Sequence, residues 1–138
     1  MAFKPIQYDS GKMVRLPVAA TTFTKGDACN ENGDGYYEKA QAADGQQVTH
    51  VIMETVASAA TEGDMKLFIR VPGVVFEADC DAVASRTDVG TSVDLASAGT
   101  VNVDATGGDY VFYVEDLVGV AETTTVVRGW FNTSDPMT

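Results

Sequence analysis

The apolar residues of this chain occur in short runs that are separated by turn-forming residues. Val, Thr, Tyr, Phe and Ile recur in the runs, and Gly, Asp and Asn lie between them. Branched and aromatic side chains favour strands, and the residues between the runs favour turns. The pattern therefore predicts an all-β fold, a single small β-barrel or sandwich, without deciding between the two. The predicted strands cover residues 13–18, 25–29, 36–40, 48–55, 65–77, 91–95, 100–104, 110–118 and 124–131.

A few residues give these strands a more definite form. Pro17 cannot donate a hydrogen bond to a neighbouring strand, so the first predicted strand belongs at the edge of a sheet. Pro72 and Gly73 predict a bend, which makes the longest predicted strand either a strand pair or one bent strand. Ser85 and Asp88 have the spacing of a capping box, which predicts one short helical turn.

The chain divides into an N-terminal arm, residues 1–20, a β domain, residues 21–131, and a C-terminal tail, residues 132–138. The arm lacks the periodicity of an amphipathic helix, and it combines apolar anchors with cations. Such a segment can dock in extended form on a neighbour's sheet edge, although it can equally form an edge strand of its own domain. We expect that deleting residues 1–16 leaves a folded domain. The candidate partner-binding residues are Phe3, Lys4, Ile6, Tyr8, Lys12 and Arg15.

Charge distinguishes the N-terminal segment from the rest of the chain. Of 138 residues, 20 are acidic and 9 are Lys or Arg, which gives a net charge of -11. Residues 1–26 contain four basic and one acidic side chain, so they carry +3 and the remainder carries -14. A chain this negative repels nucleic-acid phosphates and anionic membranes, so we expect neither as a partner. No apolar run has the length of a signal peptide or of a membrane span, so we expect a soluble protein.

The sequence offers few of the residues that catalysis uses. It contains one His and two Cys, and it has no Gly-x-Ser-x-Gly motif. His50 falls in a predicted strand, where we expect it to face solvent or to be satisfied locally. Cys29 and Cys80 are too few for a disulfide framework, and a reducing cytosol would keep them as thiols. We therefore expect no enzyme activity, no catalytic residue and no cofactor.

Two stretches have features of cation sites. Residues 30–35 place oxygen ligands at alternate positions, but Gln41 stands where a calcium loop needs a bidentate carboxylate, so we expect a glycine-rich hairpin instead. Glu77, Asp79 and Asp81 lie two residues apart, and they share one face of an extended strand. Since nothing in the sequence converges on them, we expect a solvated acidic edge and no bound metal.

Six segments between residues 24 and 131 together resemble one protein family. They are Thr24-Lys25-Gly26-Asp27-Ala28, Tyr37-Glu38-Lys39-Ala40, Glu62-Gly63-Asp64, Pro72-Gly73-Val74-Val75-Phe76, Thr87-Asp88-Val89-Gly90-Thr91-Ser92-Val93-Asp94-Leu95 and Val126-Val127-Arg128-Gly129-Trp130-Phe131. In this order they resemble the small head-decoration, or cement, proteins of tailed bacteriophages. The resemblance implies a tulip-like or barrel domain, commonly a homotrimer, on the outer face of an icosahedral capsid. It further implies that a terminal arm binds across neighbouring subunits of the major capsid protein and stabilises the shell.

Two other functional classes compete with this interpretation. The first is a surface-displayed adhesion or carbohydrate-binding module, in which aromatic rings stack on sugars. The rings that would serve it are Tyr36, Tyr37, Tyr110, Tyr113 and Trp130. The second is a small metal-dependent enzyme, which would need the carboxylates of Glu77, Asp79 and Asp81.

Overall fold

The computed structural model describes residues 2–41, 48–104 and 110–132. In these residues it has eleven β-strands, arranged in two antiparallel sheets, and two 3-10 turns. The strands are β1 (Phe3–Gln7), β2 (Met13–Pro17), β3 (Ala28–Glu31), β4 (Tyr37–Lys39), β5 (His50–Ile52), β6 (Met65–Arg70), β7 (Val75–Asp79), β8 (Ser92–Ser97), β9 (Thr100–Asn102), β10 (Phe112–Leu117) and β11 (Val126–Phe131). The prediction of an all-β fold is confirmed, and the two sheets form a small sandwich.

One sheet has six strands and the other has five. The order of the first is β1-β7-β11-β10-β8-β9, and that of the second is β2-β6-β5-β3-β4. In each sheet a single bridge joins the residue that follows one strand to another strand that is well separated from it in the strand order. Val18, just after β2, bridges Tyr37 in β4, and Cys80, just after β7, bridges Val101 in β9. Both sheets are therefore curled rather than flat.

The five-stranded sheet is packed on both faces. Successive residues of its strands, such as Phe68 and Ile69 in β6, belong to different hydrophobic clusters, because side chains alternate across a strand. The larger cluster contains Ile69 and fills the space between the two sheets. The smaller cluster contains Phe68, Phe23 and Val56, and the bridge between Phe23 and Val56 holds the covering segments together.

Four phenylalanine rings occupy the inner face of the six-stranded sheet. Phe3, Phe76 and Phe112 are fully buried, and Phe131 is nearly so. The centroid of the Phe3 ring lies 4.7 Å from that of Phe131 and 5.8 Å from that of Phe112. The first strand of the chain therefore supplies a central side chain of the core.

Residues 2–20 contribute an edge strand to each sheet. β1 pairs with β7, and β2 pairs with β6. Of the two alternatives for the N-terminal segment, this is the one in which the segment forms edge strands of its own domain and does not dock on a neighbour. The expectation that a chain without residues 1–16 still folds does not agree with it, because the deletion would remove both strands and the buried Phe3 ring. Of the predicted C-terminal tail, only Asn132 lies within the described residues.

Two predictions are confirmed: that Pro17 belongs to an edge strand, and that Pro72 and Gly73 mark a bend between two strands. β2, which ends at Pro17, is an edge strand. The stretch on either side of Pro72 is two strands, β6 and β7, which lie in different sheets. Gly73 has φ of +75°, a conformation that other residues rarely adopt, so this position needs a glycine.

The predicted helical turn is present, and a second one precedes β2. Arg86–Asp88 is a 3-10 turn with the expected capping box, in which the Ser85 amide donates to Asp88 Oδ2 at 2.8 Å. The additional turn is Ser10–Lys12, where Asp9 Oδ1 accepts a hydrogen bond from the Gly11 amide at 2.9 Å. An Asp directly before a short turn is a typical N-cap, so this turn had a signal in the sequence.

Candidate functional site

The six candidate partner-binding residues lie along one side of the sandwich. β1 and β2 are edge strands of different sheets, and residues 8–12 connect them, so the segment passes from one sheet to the other. Phe3 is fully buried and cannot contact a partner in the folded domain. The other five are exposed or half-buried, and together they form what we call the N-terminal surface: Lys4, Ile6, Tyr8, Lys12 and Arg15.

Lys4 belongs to a row of alternating charges on the outer face of the six-stranded sheet. It lies opposite Glu77 in β7, and Glu77 lies opposite Arg128 in β11. The Nε atom of Arg128 in turn contacts Oε1 of Glu115 at 3.0 Å. Glu77 is thus flanked by two cations of its own chain.

The connection between β1 and β2 is held in place by the turn between β6 and β7. Arg70 Nη1 donates a hydrogen bond to the Gly11 carbonyl oxygen at 3.2 Å. The Lys12 Nζ atom lies close to Gly73, at 3.5 Å from where a Cβ atom would stand. Tyr8 remains 49% exposed between them and β1. The Tyr8 side chain is therefore exposed to solvent on a connection that is itself held in place.

Arg70 is a further cation of this side that the sequence analysis missed. It is exposed at the end of β6, next to β2. The antiparallel pairing of β2 and β6 places it near Lys12 and on the strand beside Arg15. Its distance in sequence from the N-terminal segment concealed this proximity, since only the strand pairing joins them.

The predicted hairpin at residues 30–35 is confirmed, and the side-chain oxygen atoms of Glu31 and Asn32 accept hydrogen bonds from its own backbone. β3 and β4 pair on either side of it. Glu31 Oε1 accepts hydrogen bonds from the Gly33 and Gly35 amides at 2.9 and 3.1 Å. Asn32 Oδ1 accepts from the Asp34 amide at 2.8 Å. In these contacts the loop satisfies its own amides with its side chains.

Within the described residues, no group of three or more His, Cys, Asp or Glu side chains is arranged to hold a metal ion. This includes Glu77, Asp79 and Asp81. No helix in the same residues is long and apolar enough to cross a membrane.

The two cysteines are separate buried thiols. Cys29 packs in the smaller hydrophobic cluster, and Cys80 packs in the larger one. Burial, together with nearby Asp81, Asp88 and Asp79, raises the pKa of Cys80 to about 12. Burial also raises the pKa of Cys29, and Asp27 adds to the effect. Because the thiolate is the reactive form, both thiols are poor nucleophiles at neutral pH.

His50 is satisfied locally, as the sequence suggested. Its Nδ1 atom lies 2.9 Å from Thr49 Oγ1, and its ring packs edge-on against Tyr37 with centroids 4.9 Å apart. Burial, and then the charge of Arg70 on the adjacent strand, lowers the pKa of His50 to about 4. The imidazole is therefore neutral at physiological pH.

This lowered pKa predicts a pH-dependent stability. The unfolded chain binds a proton at His50 below a pKa of about 6.5, whereas the folded chain does so only below about 4. The free energy of unfolding should therefore fall as the pH drops from about 6.5 to 4, by about 2 kcal/mol from this residue. Urea denaturation at several pH values should show a shallower dependence for His50→Gln than for the unmodified chain. Parallel curves across that window would contradict the assignment.

The aromatic residues considered for sugar binding are divided between the two sheets. Tyr37 packs against the smaller hydrophobic cluster beneath the five-stranded sheet. Tyr113 and Trp130 stack on adjacent strands of the other sheet, with ring centroids 4.8 Å apart. Tyr110 is 58% exposed and stands at φ of +52°. The five rings do not form one platform, and carbohydrate binding stays a prediction.

The fold is similar to that of a protein from a phage head. The N base of head fiber gp8.5 of bacteriophage phi29 matches this structure with a TM-score of 0.52 and 14% sequence identity. The match covers 87% of this chain and 94% of that chain. No protein-family model and no curated protein matches the sequence. At this identity the likeness establishes a shared fold, which extends over nearly the whole domain in both proteins.

Proposed function

We propose that this chain is a structural protein of a bacteriophage virion that binds the outer surface of the capsid. The observation that carries the proposal is the likeness to the phi29 head fiber base, which spans nearly all of both chains. The resemblance of the sequence to head-decoration proteins points to the same kind of particle. The buried thiols and the neutral, locally bonded His50 are in keeping with a structural role.

In this proposal the protein stabilises the shell by bridging neighbouring subunits of the major capsid protein. A clamp of this kind adds interface area that exists only in the assembled shell, so it favours the assembled state by mass action. Three copies in a homotrimer would strengthen each contact, because the second and third contacts form at high effective concentration. The acidic remainder of the chain would keep decorated particles apart in solution.

The N-terminal surface is the part of the molecule that we propose contacts the capsid. It contains the cations Lys4, Lys12 and Arg15 in a chain whose net charge is -11, and Arg70 contacts the connection between β1 and β2. Tyr8 supplies an exposed aromatic ring at its centre. Tyrosine and arginine are enriched among the residues that dominate binding energy at protein interfaces.

Binding to purified heads tests the proposed function. Heads would be prepared from the phage that encodes the chain, with its gene disrupted, and then mixed with the purified protein. We expect the protein to co-sediment with the heads and to add symmetric density in electron cryomicroscopy reconstructions. Heads that stay bare at micromolar protein would overturn the proposal.

A pair of double variants tests the N-terminal surface with matched changes. Tyr8→Ala combined with Arg15→Glu should weaken head binding by about tenfold or more, because both side chains are exposed and leave the core intact. The control combines Val120→Ala with Lys25→Glu, which remove an exposed apolar side chain and reverse an exposed cation elsewhere. The two double variants have the same net charge. Equal weakening by both would mean that overall charge, and not this surface, controls binding.

A further inference from the structure

A groove of about 990 Å³ lies beside the residue that precedes β1, where the two sheets come together. One wall is the end of β4 and the two residues after it, from Glu38 to Gln41, and the opposite wall is the tip that joins β8 to β9, from Ala96 to Thr100. Its volume is in the range of ligand-binding pockets. Most of its lining residues are Ala, Gly, Ser or Thr, among them Ala20, Thr24 and Gly99.

A buried carboxylate opens onto this groove. Asp27 is only 8% exposed, and it lines the groove. Its Oδ2 atom accepts a hydrogen bond from the Thr24 amide at 2.8 Å. Its Oδ1 atom accepts no hydrogen bond from the described part of the chain. With Oδ2 bonded to the Thr24 amide, the carboxylate still offers Oδ1 as an acceptor to a cationic or hydrogen-bond-donating ligand.

The local sequence positions that carboxylate. The Asp27 amide donates to the Thr24 carbonyl oxygen at 2.9 Å, which closes a four-residue turn. Gly26, at φ of +98°, supplies the conformation that the third residue of such a turn requires. Gly99 faces the carboxylate across the groove, and a Cβ atom there would stand 3.4 Å from Asp27 Oδ1 and 3.1 Å from Ala2 Cβ. A side chain at position 99 would therefore cover that side of Oδ1.

Within the described residues, β4 is the last strand of the five-stranded sheet. The Ala40 amide donates to the Ala28 carbonyl oxygen, and the Tyr36 carbonyl oxygen accepts from the Asn32 amide, so the even-numbered residues face β3. The backbone N–H and C=O groups of the odd-numbered residues of β4, Tyr37 and Lys39, therefore point away from β3. The Tyr37 carbonyl oxygen accepts from the Ala19 amide at 2.9 Å, after which that neighbouring segment turns away. The backbone of Lys39 comes next, and it lines the groove.

We propose that this groove binds an extended segment of a partner protein, with a lysine or arginine side chain of that segment paired to Asp27. The outward-facing backbone groups of Lys39 would pair with the backbone of the segment, as in recognition by strand addition. The small side chains of the walls let a backbone approach closely. The charged groups that line the groove are Asp27, Glu38 and Asp79 against Lys39, so its net charge suits a cationic ligand. This inference goes beyond the proposed function and does not depend on it.

A titration with short peptides tests this site on the intact chain. The probe is an acetylated and amidated pentapeptide, Thr-Val-Lys-Val-Thr, added to the 15N-labelled protein at up to millimolar concentration. We expect amide shifts confined to residues 24–28, 38–41 and 96–100. The same peptide with norleucine in place of lysine should bind about tenfold more weakly, because it lacks the charged partner for the carboxylate. Equal binding by the two peptides, or shifts elsewhere only, would overturn the proposal.

Two variants and a control test whether the peptide binds in the groove. Asp27→Asn keeps an oxygen for the Thr24 amide and should weaken the lysine peptide about tenfold. Asp34→Asn removes the same charge from the exposed tip of the β3–β4 hairpin and should leave binding unchanged. Ala20→Phe places a bulky ring at an exposed position of the groove lining and should abolish the shifts, even if Asp27→Asn proves unstable. Full binding by Ala20→Phe, or equal weakening by Asp27→Asn and Asp34→Asn, would overturn the proposal.

Discussion

Gly129→Ala should destabilise the protein more than any other single methyl addition considered. Gly129 lies in β11 between β7 and β10, opposite Phe76 on one side and Val114 on the other. A Cβ atom at this position would overlap the carbonyl oxygen of Tyr113 and would stand 3.0 Å from a ring carbon of Phe112. Because the obstacle is backbone of a paired strand, a rotamer change cannot relieve it. We expect a loss of about 3–5 kcal/mol in the free energy of unfolding.

The close approach at Gly129 coincides with an irregularity in the neighbouring strand. The register between β10 and β11 shifts between Val114 and Asp116, where β10 contains an extra residue. A bulge of this kind bends the strand, and in this sheet it brings the Tyr113 carbonyl group against β11. The glycine therefore permits the bulge, and it also leaves room for the ring of Phe112 in the core.

Urea denaturation of Gly129→Ala measures this effect, and Gly11→Ala is its control. Gly11 lies in the exposed 3-10 turn before β2, where a Cβ atom would meet Asp9 Oδ1 at an ordinary contact distance of 3.4 Å. Its substitution should change stability by less than about 0.5 kcal/mol. A Gly129→Ala protein within about 1 kcal/mol of the unmodified chain would mean that β10 and β11 lie farther apart than described.

The class of fold could be predicted from the sequence, because strand and turn preferences are local. The hairpin at residues 30–35 and the edge position of β2 each follow from a few neighbouring residues. The order of strands does not follow in this way. β1 pairs with β7, which lies about seventy residues later in the chain, and nothing in Phe3–Gln7 identifies that partner. Its isolated aromatic residues and its cations made this segment resemble an arm.

The parts of the candidate sites that the sequence could not reveal are those assembled across sheets. Lys4, Lys12 and Arg15 were recognised because they share one short segment, whereas Arg70 joins them only through the pairing of β2 with β6. The groove depends even more on contacts between distant parts of the chain. Asp27, Asp79 and Gly99 are far apart in sequence, and the turn that holds Asp27 looks like any other Lys-Gly-Asp turn until the β8–β9 tip is placed against it.

The burial of both faces of the five-stranded sheet could also not be predicted from the alternation of apolar and polar residues. A strand with one buried face shows apolar residues at every second position, and the others are polar. In β6, Phe68 and Ile69 are both fully buried because a second hydrophobic cluster lies beneath the five-stranded sheet. The segments that cover that cluster contain Phe23 and Val56, which lie in connections between strands. Whether that cluster is covered depends on the paths of the long connections between strands.

Phe3→Ala should have the second large effect, and it bears directly on how the N-terminal surface is tested. The ring is fully buried against Phe76, Phe112 and Phe131, with centroid distances between 4.7 and 6.5 Å. Truncation of a buried phenylalanine leaves a cavity and should lower the free energy of unfolding by about 3–5 kcal/mol. Tyr8→Ala, in the same segment but exposed, should cost less than about 0.5 kcal/mol.

Thermal and urea denaturation of both variants decide whether residues 2–20 are part of the folding unit. If β1 is an integral strand, Phe3→Ala should lower the melting temperature by about 10 °C or more, whereas Tyr8→Ala should leave it nearly unchanged. If the segment is instead a separate arm, both substitutions should be silent in the isolated protein. In the first case, weaker head binding by Phe3→Ala or by a chain without residues 1–16 reflects unfolding. Only exposed positions such as Tyr8 and Arg15 can then report on contact with a capsid.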